Sequence, residues 1–74
     1  MKIKEKFGLI IKKLRTEKGV SQERLALDAN IDRTYISDIE KGDRNVSIEI
    51  IERLANFFKI SVSELFKKME EYGE

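Results

Sequence analysis

Apolar residues return every three or four positions along most of the chain, and each run of them is closed by a residue suited to end a helix. Ile3, Phe7, Ile10, Ile11 and Leu14 follow helical spacing, and Gly19 is placed to stop that helix. Ser21 is placed to cap a second helix, with Arg24 at the third position where a capping box would carry Glu or Gln. Asp32 caps a third helix, which Gly42 ends, and Asp43, Arg44 and Asn45 then form a polar loop. Ser47 caps a fourth helix running to about Phe58. Ser61 and Glu64 give a full capping box for a fifth, running to about Glu71. No stretch alternates as a strand would, so the pattern predicts an all-α bundle of five helices. Gly8, inside the first helix, costs roughly 1 kcal/mol relative to Ala, which predicts the close approach of another helix there.

Within residues 22–41 the apolar or small positions are Leu25, Ala26, Ala29, Ile31, Ile36 and Ile39. Two short helices joined by a tight corner must pack against each other through such positions. Ala26 is small where the second would cross the first, and Asn30 tolerates the left-handed backbone that the corner requires. The arrangement is a helix-turn-helix, whose second helix lies in the major groove of DNA. Ile36 and Ile39 mark the buried face of that helix, leaving Arg33, Thr34, Ser37, Asp38 and Lys41 outward.

The fourth helix is too apolar for one buried face. Ile51, Leu54, Ala55 and Phe58 form a core stripe, while Ile50 and Phe57 lie on another side. On the fifth, Leu65 serves the core and Phe66 and Met69 are surplus. Such an excess predicts a homodimer using Ile48, Ile50, Phe57, Phe66 and Met69, the alternative being that so small a core takes all of them itself. A two-fold pair would set its recognition helices about 34 Å apart, one turn of DNA.

Composition narrows the function classes. Seventy-four residues make a single small domain over residues 1–74, near the lower limit for folding without staples. There is no Cys and no His, so disulfides, the usual zinc sites and most catalytic constellations are out of reach, and neither enzyme activity, metal nor cofactor is expected. No segment approaches the ~20 apolar residues of a membrane span. The N-terminus has neither the apolar run nor the cleavage site of a signal peptide, which leads us to expect a cytoplasmic protein without membrane association. Net charge is only +1, but it is uneven: residues 1–46 hold 11 Lys/Arg against 8 Asp/Glu (+3), and residues 47–74 hold 4 against 6 (−2). The first part is the one suited to phosphates.

KLRTEKGVSQERLA, the corner ANID, the helix RTYISDIEKG and the tail ERLANFFKISVSELF together resemble a Cro/C1-type DNA-binding domain over roughly residues 5–69. The segment DRTYISDIEKGDRNVSI is most similar to the small controller proteins of restriction-modification systems. Arg24, in place of the usual capping acid, and Asn30, in place of the common Gly, depart from the pattern. The resemblance implies a compact five-helix, lambda-repressor-like domain that dimerises, binds double-stranded DNA at a palindromic operator and regulates transcription. By position it implies base contacts from Arg33, Thr34, Ser37 and Asp38. Arg33 matches guanine O6 and N7, Thr34 can meet thymine or a phosphate, and Asp38 accepts from cytosine N4 or else orients Arg33. Backbone contacts are expected from Ser21 and Gln22 at a helix N-terminus, from Lys41, Arg44 and Asn45, and from the Tyr35 hydroxyl. The family pairs Arg15 with Glu40 as a structural ion pair. Related repressor-activators reach RNA polymerase through acidic residues on the second helix, a role that would fall to Glu23 or leave it as an ordinary first-turn acid. The competing expectation is an antitoxin or phage-type repressor whose helical module also binds a protein partner.

Overall fold

The computed structural model describes residues 1–72 and contains five helices: α1 (Ile3–Lys18), α2 (Gln22–Ala29), α3 (Arg33–Glu40), α4 (Ile48–Phe58) and α5 (Val62–Tyr72). The stops and starts are the ones that local chemistry dictates. Gly19 ends α1 in the left-handed region at φ 76°, where its N–H donates to Thr16 O and that of Val20 to Arg15 O. Ser21 Oγ accepts from Arg24 N–H at 3.0 Å, so half of a capping box forms without an acid; the Arg24 side chain instead pairs with Asp28 one turn on. Asn30 holds the corner at φ 57° and ψ 50°, and Asp32 Oδ1 caps α3 by accepting from Thr34 N–H at 2.8 Å. Ser47 caps α4, and Ser61 and Glu64 exchange both bonds of a capping box at α5, which runs one residue past the expected end.

The end of α4 has no glycine. Lys59 takes the left-handed conformation at φ 59°, with its N–H on Asn56 O and that of Ile60 on Ala55 O. An L side chain is strained there, and only the closing hydrogen bonds and the packing of Ile60 hold it. Lys59→Gly is therefore expected to raise stability by about 0.5–1 kcal/mol, the relief of strain outweighing the extra freedom of glycine in the unfolded chain. Thermal melts of the two proteins check this, and an unchanged or lower Tm would refute it.

α1 lies against α3 and α5, while α2 packs on α3 and α4, and α4 also touches α5. The helices meet on a core of Phe7, Ile10, Ile11, Leu25, Ala26, Ala29, Ile31, Ile36, Ile39, Leu54, Ala55, Leu65 and Met69. All six apolar positions read from the helix-turn-helix segment are in it. Gly8 is the point of closest approach expected from the sequence: a Cβ there would collide with the carbonyl oxygen of Ile39 and lie 3.1 Å from that of Glu40. The missing side chain lets the last turn of α3 rest on α1.

Three apolar assignments change. Met69 is only 4% exposed and belongs to the monomer's core, not to a dimer surface, because it stands one turn beyond Leu65 on the face of α5 turned toward α1. Ile3 is 65% exposed, on the rim of a groove that Phe7, Val46, Ile51 and Phe66 also line. The sharp division of α4 also blurs. Leu54 and Ala55 are buried, whereas Ile50, Ile51, Phe57 and Phe58 are all half-buried against the core. Phe66 is half-buried with its ring 6.1 Å from that of Phe7. Ile48, 78% exposed, is the one expected interface residue that the monomer leaves largely uncovered. Among the described residues no helix is long and apolar enough to cross a membrane, and no three acidic, His or Cys side chains are grouped to hold a metal.

Candidate nucleic-acid interface

α3 has strict amphipathic order: Ile36 and Ile39 are buried, and the opposite face carries Arg33, Thr34, Ser37 and Asp38, the side chains expected to reach base edges. Arg33 and Thr34 are exposed in its first turn, Ser37 and Asp38 are half-buried one turn later, and Lys41 is exposed at the C-cap. Arg33 has no hydrogen bond or ion pair among the described residues, which leaves its five N–H donors available to an acceptor outside the chain.

Asp38 does not orient Arg33. Its Oδ2 accepts from Nη2 of Arg44 at 3.1 Å, because the loop after α3 turns back and brings Arg44 across the helix one turn beyond Arg33. The Arg44 guanidinium lies 4.3 Å from the centroid of the Tyr35 ring, a cation–π contact. The Tyr35 hydroxyl accepts from the Ser47 N–H at 3.3 Å and keeps its own proton to donate. Asp38, Arg44, Tyr35 and Ser47 thus form one strip from the middle of α3 to the cap of α4. Asn45 is exposed within it.

The other end of α3 is held from below. Glu40 Oε2 accepts from Nε of Arg15 at 2.7 Å and Oε1 from Nη2 at 3.0 Å, a bidentate pair whose side chains are 13% and 4% exposed for Arg15 and Glu40. Arg15 also donates through Nη1 to Val20 O at 2.9 Å. The hydrogen bond to Glu40 raises the Arg15 pKa above its ordinary value, partly offset by burial. A carboxylate at a helix C-terminus is disfavoured by the helix dipole, and the bidentate cation is what makes it tenable here. Gln22 joins this cluster: its Nε2 donates to Glu40 Oε1 at 3.0 Å. One amide proton of Gln22 therefore remains for an external acceptor, beside the open N–H groups of the first turn of α2. Ser21 spends its hydroxyl oxygen on the cap.

Four contacts of the site escaped the sequence: the pairing of Arg44 with Asp38, its stack on Tyr35, the bond from Gln22 to Glu40, and a bond from Arg53 Nη1 on α4 to the carbonyl of Asn30 at 3.0 Å. Asn30 offered a partial signal, since a left-handed corner turns its carbonyl away from the helix and calls for a donor. Which of the chain's cations supplies it is a matter of tertiary geometry. Leu27, outside the apolar stripe of Leu25, Ala26 and Ala29, is 71% exposed on the opposite side of α2.

A small helix crossing a corner onto a second, with donors aimed outward from the second and a bidentate pair fixing its end, defines a helix-turn-helix protein. The family described as helix-turn-helix matches residues 11–65. Control protein C.MunI of Mycoplasma sp is 48% identical over 69 residues, covering 92% of this chain and 93% of its own. The crystal structure of the restriction-modification controller protein C.AhdI from Aeromonas hydrophila superposes with a TM-score of 0.81 at 46% identity, covering 85% of this chain and 96% of that one. The controller protein C.Esp1396I, as a tetramer in complex with its natural 35 base-pair operator, gives 0.86 at 38% identity and covers 96% and 93%. The chain belongs to the helix-turn-helix family of Cro/C1 type and, within it, to the restriction-modification controller proteins.

Proposed function

We propose that this protein is a sequence-specific transcriptional regulator that binds a palindromic operator as a dimer and controls a restriction-modification system from the cytoplasm. The observation that carries the reading is the state of α3: Arg33 and Thr34 stand exposed, Arg33 without a partner among the described residues, on a helix locked at its far end by Arg15 and Glu40. A pre-positioned guanidinium fork suits guanine O6 and N7. Thr34, Ser37 and the free oxygen of Asp38 complete the set for base edges. Ser21 and Gln22 at the start of α2, together with Lys41, Arg44, Asn45 and the Tyr35 hydroxyl proton, are assigned to the phosphate backbone. Because Asp38 holds Arg44, this arginine approaches DNA as a braced group and loses little freedom on binding.

Dimerisation is assigned to exposed Ile48 with the half-buried Ile50, Phe57 and Phe66. Controller C.Esp1396I on its operator supports an oligomer on DNA here too. Glu23, exposed in the first turn of α2, has the ordinary place of an acid at the positive end of a helix and is the residue through which any RNA polymerase contact would run.

Arg33→Ala is expected to cost about 1–3 kcal/mol on the specific site and to relax preference at one base pair, with little change on random duplex. Gln22→Ala should weaken specific and random DNA by similar factors, because phosphates carry no sequence information. Mobility shifts on DNA upstream of the protein's own gene supply the measurement. Equal losses on both duplexes for Arg33→Ala would refute the base-contact role. Absence of any specific shift by the wild-type protein would favour the protein-binding, antitoxin-like alternative.

A further inference from the structure

α4 carries Ile48, Ile50 and Phe57, assigned above to the dimer surface, whereas α2 and α3 carry the DNA-facing groups. The geometry with which α4 meets the helix-turn-helix therefore sets where each recognition helix lies relative to its two-fold mate. The packing of α4 on α2, with Leu54 and Ala55 buried in the common core, is nondirectional and would tolerate some rolling of one helix on the other. Two hydrogen bonds are directional. At the start of α4, the Ser47 N–H is held by the Tyr35 hydroxyl of α3. Nearly two turns further along, Arg53 Nη1 holds the Asn30 carbonyl at the corner between α2 and α3. One such tie leaves an axis of rotation, and two remove it.

We propose that Arg53 is a positioning residue that fixes the angle between the dimer-forming helix and the recognition unit, and so makes the protein selective for the spacing between operator half-sites. The inference rests on the dimer reading above. Several features of the site fit the role. Asn30 is left-handed at φ 57°, so its carbonyl is turned out of the α2 ladder and free to accept. The guanidinium brings a charge to the carbonyl end of α2, where a cation is favoured. Arg53 is exposed and is no part of the buried core, so a replacement that keeps its apolar stem removes the tie without opening a core cavity. Loss of the tie would let each recognition unit follow its own groove. Affinity for the correct spacing then falls because preorganisation is lost, and affinity for a wrong spacing falls less.

The test uses the full chain and a palindromic duplex selected by the wild-type protein from randomised DNA. It is compared with the same duplex lengthened or shortened by one base pair at its centre, and with a single half-site. Arg53→Met, which keeps most of the apolar stem, is expected to reduce the wild-type preference for the correct spacing by about tenfold while binding the single half-site within about twofold of wild type. Arg53→Lys, which can still donate to the carbonyl, should recover part of the preference. A variant Arg53→Met with the wild-type spacing preference overturns the inference, as does an equal loss on all four duplexes, which would make Arg53 a general stability or phosphate residue. A wild-type protein that is indifferent to spacing and sediments as a monomer at tens of micromolar would overturn the dimer reading itself. That result is distinct from either of the others.

Discussion

Replacing Glu40 with Ala is expected to lower the free energy of unfolding by about 3–5 kcal/mol, because it strands the guanidinium of Arg15 in a site where that side chain is only 13% exposed. The loss is large since Glu40 is an acceptor for three donors at once: Nε and Nη2 of Arg15 and the amide of Gln22. Arg15→Ala should be nearly as costly, leaving a carboxylate at the wrong end of a helix dipole with the Gln22 amide alone to satisfy it. For a domain this small, such a loss removes most of the native population at 37 °C. Urea unfolding at fixed protein concentration, needed because dimerisation feeds into apparent stability, gives the number. The double change Arg15→Met with Glu40→Leu should recover much of it, since neither charge is then left alone. A Glu40→Ala protein that melts like wild type would remove the ion pair from the fold's essential contacts. The raised pKa of Arg15 means that its contribution is complete below the ordinary arginine range and is lost only as pH rises through the folded-state value. Through arginine, then, no pH dependence is expected around neutrality.

Gly8→Ala is the second large effect, and its sign runs against helix propensity. In an open helix the change gains close to 1 kcal/mol. Here the added carbon meets the Ile39 carbonyl oxygen inside contact distance and the Glu40 carbonyl at 3.1 Å. Both belong to backbone, which cannot swing aside as a side chain would. α3 has to lift from α1, and overpacking of this sort costs about 1–3 kcal/mol or more after the propensity gain is subtracted. The lift also tilts the recognition helix and disturbs Glu40. Specific DNA binding should therefore fall further than the fraction of unfolded protein accounts for. Circular dichroism melts and mobility shifts on the same preparation test both parts. A Gly8→Ala protein of higher Tm would mean that α1 and α3 can separate at no cost.

The helix-turn-helix was legible because its determinants are local. Gly19, Asn30 and Gly42 occupy left-handed positions, Ser21, Asp32, Ser47 and Ser61 accept at helix starts, and Leu25, Ala26, Ala29, Ile31, Ile36 and Ile39 repeat at helical intervals. Each follows from backbone sterics or a single nearby hydrogen bond, and those act over four residues or fewer. Lys59 shows the limit of that reasoning: nothing local marks a lysine for a left-handed cap.

The face of α3 was likewise readable from period alone, but the partners of its side chains were not. Arg33 and Arg44 are the same residue type, and only the path of the loop after α3 decides that Asp38 takes Arg44 and leaves Arg33 open. Surplus apolar residues posed the same difficulty. Phe66 and Met69 lie three apart on α5, and the docking of α5 on α1 sends Met69 into the core while Phe66 stays half-buried beside Phe7.

The sequence by itself determined where the helices begin and end, which face of each is apolar, and that α3 offers a guanidinium and a hydroxyl from its first turn. The Arg15–Glu40 pair came with the family resemblance; tertiary structure alone decided the remaining partners: Arg53 with the Asn30 carbonyl across 23 residues, Gln22 with Glu40, and Arg44 with Asp38 and over Tyr35. The physical reason is range. Propensity and capping are set by neighbours along the chain, whereas a hydrogen bond between distant residues depends on the distance and angle left after the whole core has closed.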